Sequence, residues 1–290
     1  MMKYTSLDSI SAGITLSNGV LIPALGFGTY QMPNDMTAVE AIEQALACGY
    51  RHIDTAAFYK NEESVARAIE KSDLSRDEIF ITSKLWNNIR GYEETVEAFN
   101  DSLDRLNTDY LDLYLIHWPR PVYFKDNWAE KNADTWRAME DLYREGRVRA
   151  IGVSNFLEHH IVALEERSEI RPMVNQIHLC PGLLPQELLR FCDERDILIQ
   201  SYMPIARGLV IEVPELQSMA AELGKTVPQV VLRWHLQHGF SPLPKSVTPK
   251  YIRENASLFD FSLTTEQMQI IDDLTPGICG KAKDPDSIDF

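Results

Sequence analysis

Short apolar segments alternate along the chain with longer stretches of helical period. The apolar segments are rich in Val, Ile, Leu and Tyr, which favour buried β-strands. Eight of them predict strands at residues 24–30, 51–56, 79–85, 111–118, 148–155, 173–179, 198–204 and 241–246. Between them, apolar side chains recur as on one face of a helix, at Val96, Phe99, Leu103 and Leu106, and again at Trp136, Met139 and Leu142. Strands that alternate with helices in this way predict parallel pairing.

Boundary signals support several of these helices. Thr37 with Glu40 has the spacing of a capping box, in which each side chain bonds the other residue's backbone N–H. Thr226 with Gln229 has the same spacing, and the last helix is predicted to begin near Thr264. These signals place helices before the second predicted strand, before the eighth and after it.

The number of strands favours a closed barrel over an open sheet. An open, doubly wound sheet that binds nucleotides usually has the pattern G-x-G-x-x-G after its first strand. The chain instead has GFGTYQ at residues 26–31. The sequence Asn18-Gly19 between apolar stretches indicates a β-hairpin near the amino terminus. We therefore predict a single (β/α)8 TIM-barrel domain over residues 1–290, with the hairpin covering its bottom.

The composition of the chain argues against some classes of function but does not indicate a particular one. The chain has 290 residues, 44% of them hydrophobic, and a net charge of −15, so neither nucleic acid nor an anionic membrane is an expected partner. No apolar run is long enough to span a bilayer, and the first ten residues lack the apolar core of a signal peptide. Cys48, Cys180, Cys192 and Cys279 have neither paired nor metal-like spacing. We expect a cytoplasmic protein with reduced thiols and no bound metal.

Four polar residues mark candidate chemistry at the ends of adjacent strands. They are Asp54 and Tyr59 after the second strand, Lys84 at the third and His117 at the fourth. In a barrel these strand ends meet at one rim. A free tyrosine has a pKa of about 10, and a nearby ammonium such as Lys84 would lower it. Tyr59 could then serve as a general acid, with Asp54 orienting Lys84 and His117 donating a hydrogen bond to a carbonyl oxygen.

Each of these residues also has a purely structural interpretation. Asp54 and Lys84 could be a buried ion pair with no catalytic role. His117 could be a core histidine whose ring nitrogens have hydrogen-bond partners in the protein. Trp86 and Trp118, which follow two of the strand ends, could form an apolar wall of a pocket or ordinary packing. The occurrence of four titratable groups on neighbouring strand ends favours catalysis.

The sequence motifs resemble those of the aldo-keto reductases. The similarity covers GFGTY (26–30), GYRHIDTAAFYKNE (49–62), SKLW (83–86), DLYLIHWP (112–119), RAIGVSNF (149–156), VNQI (174–177) and PKSVTP (244–249). The resemblance implies a (β/α)8 barrel that binds a nicotinamide dinucleotide without a Rossmann motif. It also implies that Asp54, Tyr59, Lys84 and His117 are catalytic, with Tyr59 as the proton donor.

The resemblance further implies which residues bind the cofactor and the substrate. It assigns the nicotinamide carboxamide to Ser154, Asn155 and Gln176, and ring stacking to Tyr202. It assigns the remaining cofactor contacts to Gly28, Thr29, Tyr30, Asp54, Pro204, Ile205, Ala206, Leu209, Lys245, Ser246, Val247, Tyr251, Glu254 and Asn255. The implied substrate pocket is lined by Tyr30, Trp86, His117 and Trp118, and Tyr30 stands where many relatives have a tryptophan.

One departure from the family concerns the choice of cofactor. Many members that prefer NADPH have an arginine where this chain has Tyr251. Lys245, Lys250 and Arg253 still supply positive charge for a 2′-phosphate. We expect NADPH as the cofactor, with NADH as an alternative.

A short carboxyl-terminal segment, GKAKDPDSIDF, points to one group of relatives. It resembles microbial and protozoan members such as 2,5-diketo-gluconate reductase, glyoxal reductase and prostaglandin F synthase. We expect an open pocket that accepts glyoxals, diketo-sugar acids and simple aldehydes, in a monomer or weak dimer. His159-His160 is interpreted as a solvated helix start. Two other functions stay open: a cofactor-binding regulatory subunit with little turnover, and an isomerase of phosphorylated sugars on the same barrel.

Overall fold

Parallel strands form the centre of the fold. The computed structural model describes residues 8–278 and 280–290, so predictions that concern the first seven residues and Cys279 lie outside it. A hairpin of β1 (Gly13–Thr15) and β2 (Leu21–Pro23) comes first. The barrel strands are β3 (Phe27–Gly28), β4 (His52–Asp54), β5 (Phe80–Leu85), β6 (Leu111–Ile116), β7 (Val148–Ser154), β8 (Val174–His178), β9 (Leu198–Tyr202) and β10 (Ser241–Leu243). All eight pair in parallel in chain order, which confirms the predicted (β/α)8 barrel.

Two hydrogen bonds join the last barrel strand to the first. The amide of Gly26 donates to the carbonyl of Pro242 at 3.1 Å, and the amide of Gly28 donates to that of Pro244 at 3.0 Å. Both acceptors are prolines and have no N–H to return a bond. A Cβ atom on Gly28 would lie 3.2 Å from the carbonyl oxygen of Leu243, so a residue without a side chain permits this close approach. We call this joint the seam.

The hairpin lies at the amino-terminal end of the barrel strands. Asn18, in its turn, donates from Nδ2 to the carbonyl of Arg149 at 2.9 Å. Arg149 is the second residue of β7, so this contact is made at the start of that strand. Ile14 and Ile22 pair across the hairpin and are both buried. The hairpin therefore covers the bottom of the barrel, away from the strand ends.

Helices follow the strands around the outside. They are α1 (Met36–Ala47), α2 (Glu62–Lys71), α3 (Tyr92–Leu106), α4 (Trp128–Arg144), α5 (Glu158–Glu165), α6 (Gln186–Asp193), α7 (Pro214–Leu223), α8 (Val227–His238), α9 (Pro249–Ala256) and α10 (Thr265–Asp272). Short 3-10 turns occur at Ala57–Tyr59, Arg76–Glu78, Val122–Phe124 and Ala206–Glu212. Within the two described ranges, no helix is both long enough and apolar enough to cross a membrane.

Two predicted helix starts are confirmed and one is wrong. Capping boxes begin α8 at Thr226 and α10 at Thr264. The predicted box of Thr37 and Glu40 does not form. Asp35 caps α1 instead, its carboxylate accepting from the amide of Thr37 at 2.7 Å. An extended backbone at Asp35 places its carboxylate over the free amides of the first turn, so Thr37 already belongs to the helix.

The interpretation of His159-His160 as a solvated helix start is wrong for His160. The His160 side chain is completely buried, whereas His159 remains about half exposed. Nδ1 of His160 accepts from the amide of Leu157 at 3.1 Å, and Nε2 lies 3.1 Å from Oδ1 of Asp286. Both ring nitrogens therefore have protein partners. The second partner is 126 residues away in sequence, where local pattern gives no signal.

Candidate active site

The four candidate catalytic residues converge on the carboxyl-terminal rim of the barrel. Asp54 is the last residue of β4, and Lys84 is the next-to-last residue of β5. His117 directly follows β6, and Tyr59 ends the 3-10 turn that follows β4. Because the strands are parallel, the three strand ends point the same way. The structure brings the four together.

Lys84 is the centre of the cluster. Its ammonium donates to Oδ1 and Oδ2 of Asp54 at 2.7 and 2.8 Å, and to the carbonyl of Thr55 at 2.9 Å. It also lies 3.3 Å from the hydroxyl of Tyr59. Burial lowers the pKa of Lys84, whereas Asp54 and Glu62 act in the opposite direction. The lysine thus has its charge balanced by Asp54 and still lies close to the phenol.

The pKa of Tyr59 differs from the expected direction. Burial raises it well above its usual value, and the Asp54 carboxylate and the phenols of Tyr202 and Tyr30 raise it further. The expectation of a lowered pKa is therefore wrong for the structure as it stands, because the net shift is upward. The reason is that burial disfavours the charged phenolate, and Asp54 both repels it and balances the charge of Lys84. Tyr59 holds its proton at neutral pH, which is the form that a proton donor needs.

His117 is a neutral hydrogen-bonding group beside Tyr59. The two rings lie edge to face with centroids 5.8 Å apart. Burial lowers the pKa of His117 well below its usual value, and the positive charges of Lys84 and Arg90 add to the effect. A neutral imidazole carries one N–H donor. Its Nδ1 is buried and has no partner among the described residues.

The predicted carboxamide-binding residues form a network with this cluster. Gln176 donates from Nε2 to Oδ2 of Asp54 at 2.8 Å and to Oε1 of Gln200 at 2.7 Å. With both amide hydrogens engaged, Gln176 has only its Oε1 oxygen to offer a ligand. Asn155 is held by the Tyr202 hydroxyl, which donates to its Oδ1 at 2.8 Å. An amide N–H₂ group of a ligand matches the acceptor that Gln176 retains.

Ser154 and Tyr202 complete this side of the rim. Ser154 is buried at the end of β7 and donates from Oγ to the carbonyl of Gln176 at 2.8 Å. The ring of Tyr202 stacks against His178, with centroids 5.4 Å apart and planes inclined by 15°. His178 therefore supports one face of the Tyr202 ring.

A strained loop carries the residues predicted for the pyrophosphate. Pro204 and Ala206 are buried, Ile205 is half-buried and Leu209 is 53% exposed. Positive φ angles occur in succession at Ala206 (47°), Arg207 (56°) and Gly208 (97°). Such conformations cost free energy in residues that carry a Cβ atom, and they often occur at ligand-binding loops. The loop curves at the rim directly after Tyr202.

The residues predicted for the adenosine end lie on one exposed edge. Lys245, Val247 and Tyr251 are exposed, Ser246 and Glu254 are half-buried, and Asn255 is buried. Glu254 also accepts from the Thr226 hydroxyl at 2.9 Å, so one of its oxygens supports the start of α8. Lys250 and Arg253 are exposed on the same helix, α9. Together with Lys245 they give this edge the positive charge that a phosphate would need.

Thr29 and Tyr30 differ in their access to the rim. Thr29 is fully buried, and its Oγ1 donates to the carbonyl of Asp54 at 3.0 Å, so it supports the end of β4 from below. Tyr30 is 40% exposed, and its ring lies 5.0 Å from that of Tyr59. Of these two predicted ligand contacts, Tyr30 alone presents substantial surface.

Aromatic rings enclose the space beside His117. The rings of Trp86 and Phe58 stack with centroids 3.7 Å apart, and Trp86 lies 5.1 Å from His117. Phe290 lies parallel to Trp86 at 6.0 Å and edge to face with Trp118 at 5.4 Å. The expectation of an open pocket is therefore wrong on this side, because the short tail still reaches the two tryptophans. Phe58 was missed, although it directly precedes Tyr59.

Comparisons with known proteins found similar sequences and similar structures. Residues 24–276 match the family model described as "Aldo/keto reductase family". A glyoxal reductase of Bacillus subtilis is 46% identical over 266 residues, covering 92% of this chain and 94% of the relative. Methylglyoxal reductase DkgA of Escherichia coli is 40% identical over 266 residues, covering 91% and 94%. The structure of a Bombyx mori aldo-keto reductase in complex with NADP has a TM-score of 0.82 and 34% identity, covering 90% of this chain and 91% of that one.

Proposed function

Because the chain belongs to the aldo/keto reductase family, we propose that it reduces aldehydes and ketones to alcohols with a nicotinamide cofactor. The observation that carries the proposal is the contact of one buried ammonium, Lys84, with both Asp54 and Tyr59. A lone structural ion pair would give no role to a phenol at that distance. Relatives described as glyoxal and methylglyoxal reductases support the same reaction class.

The proposed mechanism divides the addition of hydrogen between cofactor and protein. A reduced nicotinamide, when bound, would supply the hydride for the new C–H bond at the carbonyl carbon. Tyr59 gives its phenolic proton to the carbonyl oxygen as the C=O π bond breaks, so the product is a neutral alcohol. His117 donates a hydrogen bond to the same oxygen while negative charge develops there. Lys84, 3.3 Å from the phenol, stabilises the phenolate that remains, and solvent then returns the proton.

The proposed cofactor is NADPH, with NADH as an alternative. Gln176, Asn155 and Ser154 would hold the carboxamide, and Tyr202 would stack on the ring. The pyrophosphate would lie along the strained loop after Tyr202. Lys245, Lys250 and Arg253 would favour a 2′-phosphate, and the NADP complex of the Bombyx mori relative supports this choice.

Small reactive carbonyl compounds are the proposed substrates. They are glyoxals, diketo-sugar acids and simple aldehydes, each of which has a carbonyl oxygen that Tyr59 and His117 would contact. A regulatory role with little turnover remains the alternative, and an isomerase role gives no use to the Gln176 network. Our proposal also includes a single domain over residues 1–290, a cytoplasmic location and a monomer or weak dimer.

The substitution Tyr59→Phe tests the proposal. It removes the proton donor and keeps the ring, so we expect kcat for methylglyoxal, followed by NADPH absorbance, to fall about 10²- to 10⁴-fold. The Kd for NADPH, measured by fluorescence quenching, should stay within about two-fold. Tyr92→Phe is the matched control, because the hydroxyl of Tyr92 bonds Asp141 outside the rim. Wild-type turnover in Tyr59→Phe would remove Tyr59 from the mechanism, and a wild-type protein that binds NADPH without turnover would favour the regulatory role.

A further inference from the structure

One carboxylate anchors the carboxyl-terminal tail, which we define as residues 280–290 and which forms no helix or strand. Asp286 lies 3.1 Å from Nε2 of His160 and 3.3 Å from Nε2 of His159. Nη1 of Arg120 lies 3.7 Å from Oδ1 of the same carboxylate and 3.5 Å from the backbone carbonyl of Asp286. We call Asp286, His159, His160 and Arg120 the clasp. It joins the tail to α5 and to the loop after β6.

Two histidines and a carboxylate could suggest a metal site, since their ligand atoms lie within 4.8 Å of one another. The hydrogen bonding of His160 argues against it. Its Nδ1 accepts from the amide of Leu157, so the single hydrogen of a neutral ring must be on Nε2, which faces Asp286. Burial lowers the pKa of His160 to about 4, so the ring is neutral at pH 7. A metal would need the lone pair of Nε2 and would leave two N–H groups facing each other at Leu157.

The other end of the tail reaches the candidate active site. Phe290 contacts the rings of Trp86 and Trp118, and its backbone carbonyl accepts from the amide of Val122 and from Nδ2 of Asn87, each at 3.4 Å. Three residues lie between Asp286 of the clasp and Phe290, and one of them, Ile288, is buried. Trp86 in turn lies against His117. The clasp and the contacts of Phe290 therefore hold the two ends of one short segment.

We infer that the clasp determines substrate specificity by holding Phe290 as one wall of the substrate site. This inference rests on the proposed carbonyl reduction. The apolar part of a large carbonyl compound would pack against Phe290, Trp86 and Trp118, whereas a three-carbon dicarbonyl is too short to reach all three rings. Release of the tail removes one ring from the wall and leaves Tyr59, Lys84 and His117 in place. The clasp residues are thus positioning residues that act through Phe290.

Steady-state kinetics of Asp286→Ala test the inference. We expect KM for an aromatic aldehyde to rise about three- to ten-fold, the loss expected when part of one apolar contact disappears, with kcat nearly unchanged. KM for methylglyoxal should change by less than about two-fold. Asp289→Ala is the matched control, since it removes the same charge from an exposed tail position. Equal effects on both aldehydes, or equal effects of the two variants, would overturn the inference.

A double-mutant cycle with Phe290→Ala separates positioning from a direct role of Asp286. If the clasp acts through Phe290, the double variant should have the aromatic-aldehyde KM of Phe290→Ala alone. Additive losses would show that Asp286 acts by another route and would contradict the inference. KM does not depend on the amount of active enzyme, so a partial loss of active protein in one variant does not affect the cycle.

Limited proteolysis tests the clasp without any enzyme assay. Lys281 and Lys283 are exposed in the tail and offer cleavage sites for trypsin. We expect Asp286→Ala to be cut there about ten-fold faster than the wild type, and Asp289→Ala at the wild-type rate. If the wild type reduces no carbonyl compound, the proposed function fails while this measurement still tests the clasp. Unchanged cleavage in Asp286→Ala, or micromolar Zn²⁺ binding that requires Asp286, would contradict the clasp.

Discussion

Lys84 and Asp54 form an ion pair in which the lysine side chain is fully buried and the aspartate side chain is 5% exposed. The ammonium lies within 2.8 Å of both carboxylate oxygens. Taking two charges out of water is costly, and only their close contact and further hydrogen bonds offset it. Removal of one partner would leave the other charge buried and alone. The same pair therefore affects both folding and the environment of Tyr59.

Lys84→Met should destabilise the protein strongly. Loss of the ammonium leaves the Asp54 carboxylate buried without a countercharge, which costs about 3–5 kcal/mol. Urea unfolding at pH 7 measures the change. Lys225→Met is the comparison, because the ion pair of Lys225 with the exposed Asp260 is worth less than about 1 kcal/mol.

The double variant Asp54→Asn/Lys84→Met separates charge from packing in that experiment. It removes both charges, so we expect it to be more stable than Lys84→Met while remaining inactive. If Lys84→Met costs no more than Lys225→Met, the buried pair does not carry the free energy assigned to it.

Reduction and oxidation should depend differently on pH. The pKa of Tyr59 is raised above its ordinary value of about 10, so the phenol stays protonated throughout the neutral range. Carbonyl reduction uses this proton, and kcat should stay nearly constant between about pH 6 and pH 8. Alcohol oxidation needs the phenolate as base, so its kcat should be low at neutral pH and rise as the pH increases. A reduction rate that falls as pH rises through 7 would contradict this assignment.

Buried histidines should make the protein less stable in mild acid. Burial lowers the pKa of His52 to about 3 and that of His235 to about 4, against an ordinary value of about 6.5. Below pH 6.5 the unfolded chain binds protons at these positions while the folded protein does not, so stability falls as the pH decreases. Between pH 6.5 and pH 5 each residue should cost about 2 kcal/mol.

The variant His235→Gln tests this pH dependence. The difference in unfolding free energy between pH 7 and pH 5 should shrink by about 2 kcal/mol, because one of the protonating groups is gone. Val230→Ala, in the same helix and also buried, should lower stability equally at both pH values. The assignment to His235 is wrong if both variants keep the wild-type difference.

Tyr251→Arg should increase the preference for NADPH over NADH. Tyr251 is half exposed on the edge that carries Lys245 and Arg253, so a guanidinium there could pair with a 2′-phosphate. We expect the ratio of kcat/KM for the two cofactors to shift about ten-fold towards NADPH, and the gain to diminish in high salt. Tyr251→Gln adds no charge and should leave the ratio nearly unchanged. An equal shift in both variants would exclude the charge as the cause.

The barrel and its rim were predictable because they depend on local pattern. Each buried strand is a short apolar run, and parallel strands must have their ends on one side. Asp54, Lys84 and His117 could therefore be placed together from their positions in three runs. The contact of Tyr59 with Lys84 needed only a short turn after β4.

Other features depend on contacts between distant segments, and the sequence pattern does not encode them. Nothing near His160 indicates Asp286, and nothing in the tail shows that Phe290 lies against Trp86. The direction of the Tyr59 pKa was also mispredicted, because the balance between burial, Asp54 and Lys84 depends on three-dimensional distances. The predicted start of α1 was wrong because Asp35 and Thr37 lie close together and both have side chains that can cap a helix.

The seam is the joint at which fewer backbone hydrogen bonds can form between neighbouring barrel strands. Pro242 and Pro244 can only accept hydrogen bonds at the seam, whereas β5, β6 and β7 contain no proline and can both donate and accept. Thermal opening of the ring should begin there, and the amides of Gly26 and Gly28 should exchange with deuterium sooner than those of β5 to β7. Gly28 and Lys245 lie on opposite sides of the seam at the rim. A dinucleotide that binds to both sides would hold them together and slow the exchange of these amides.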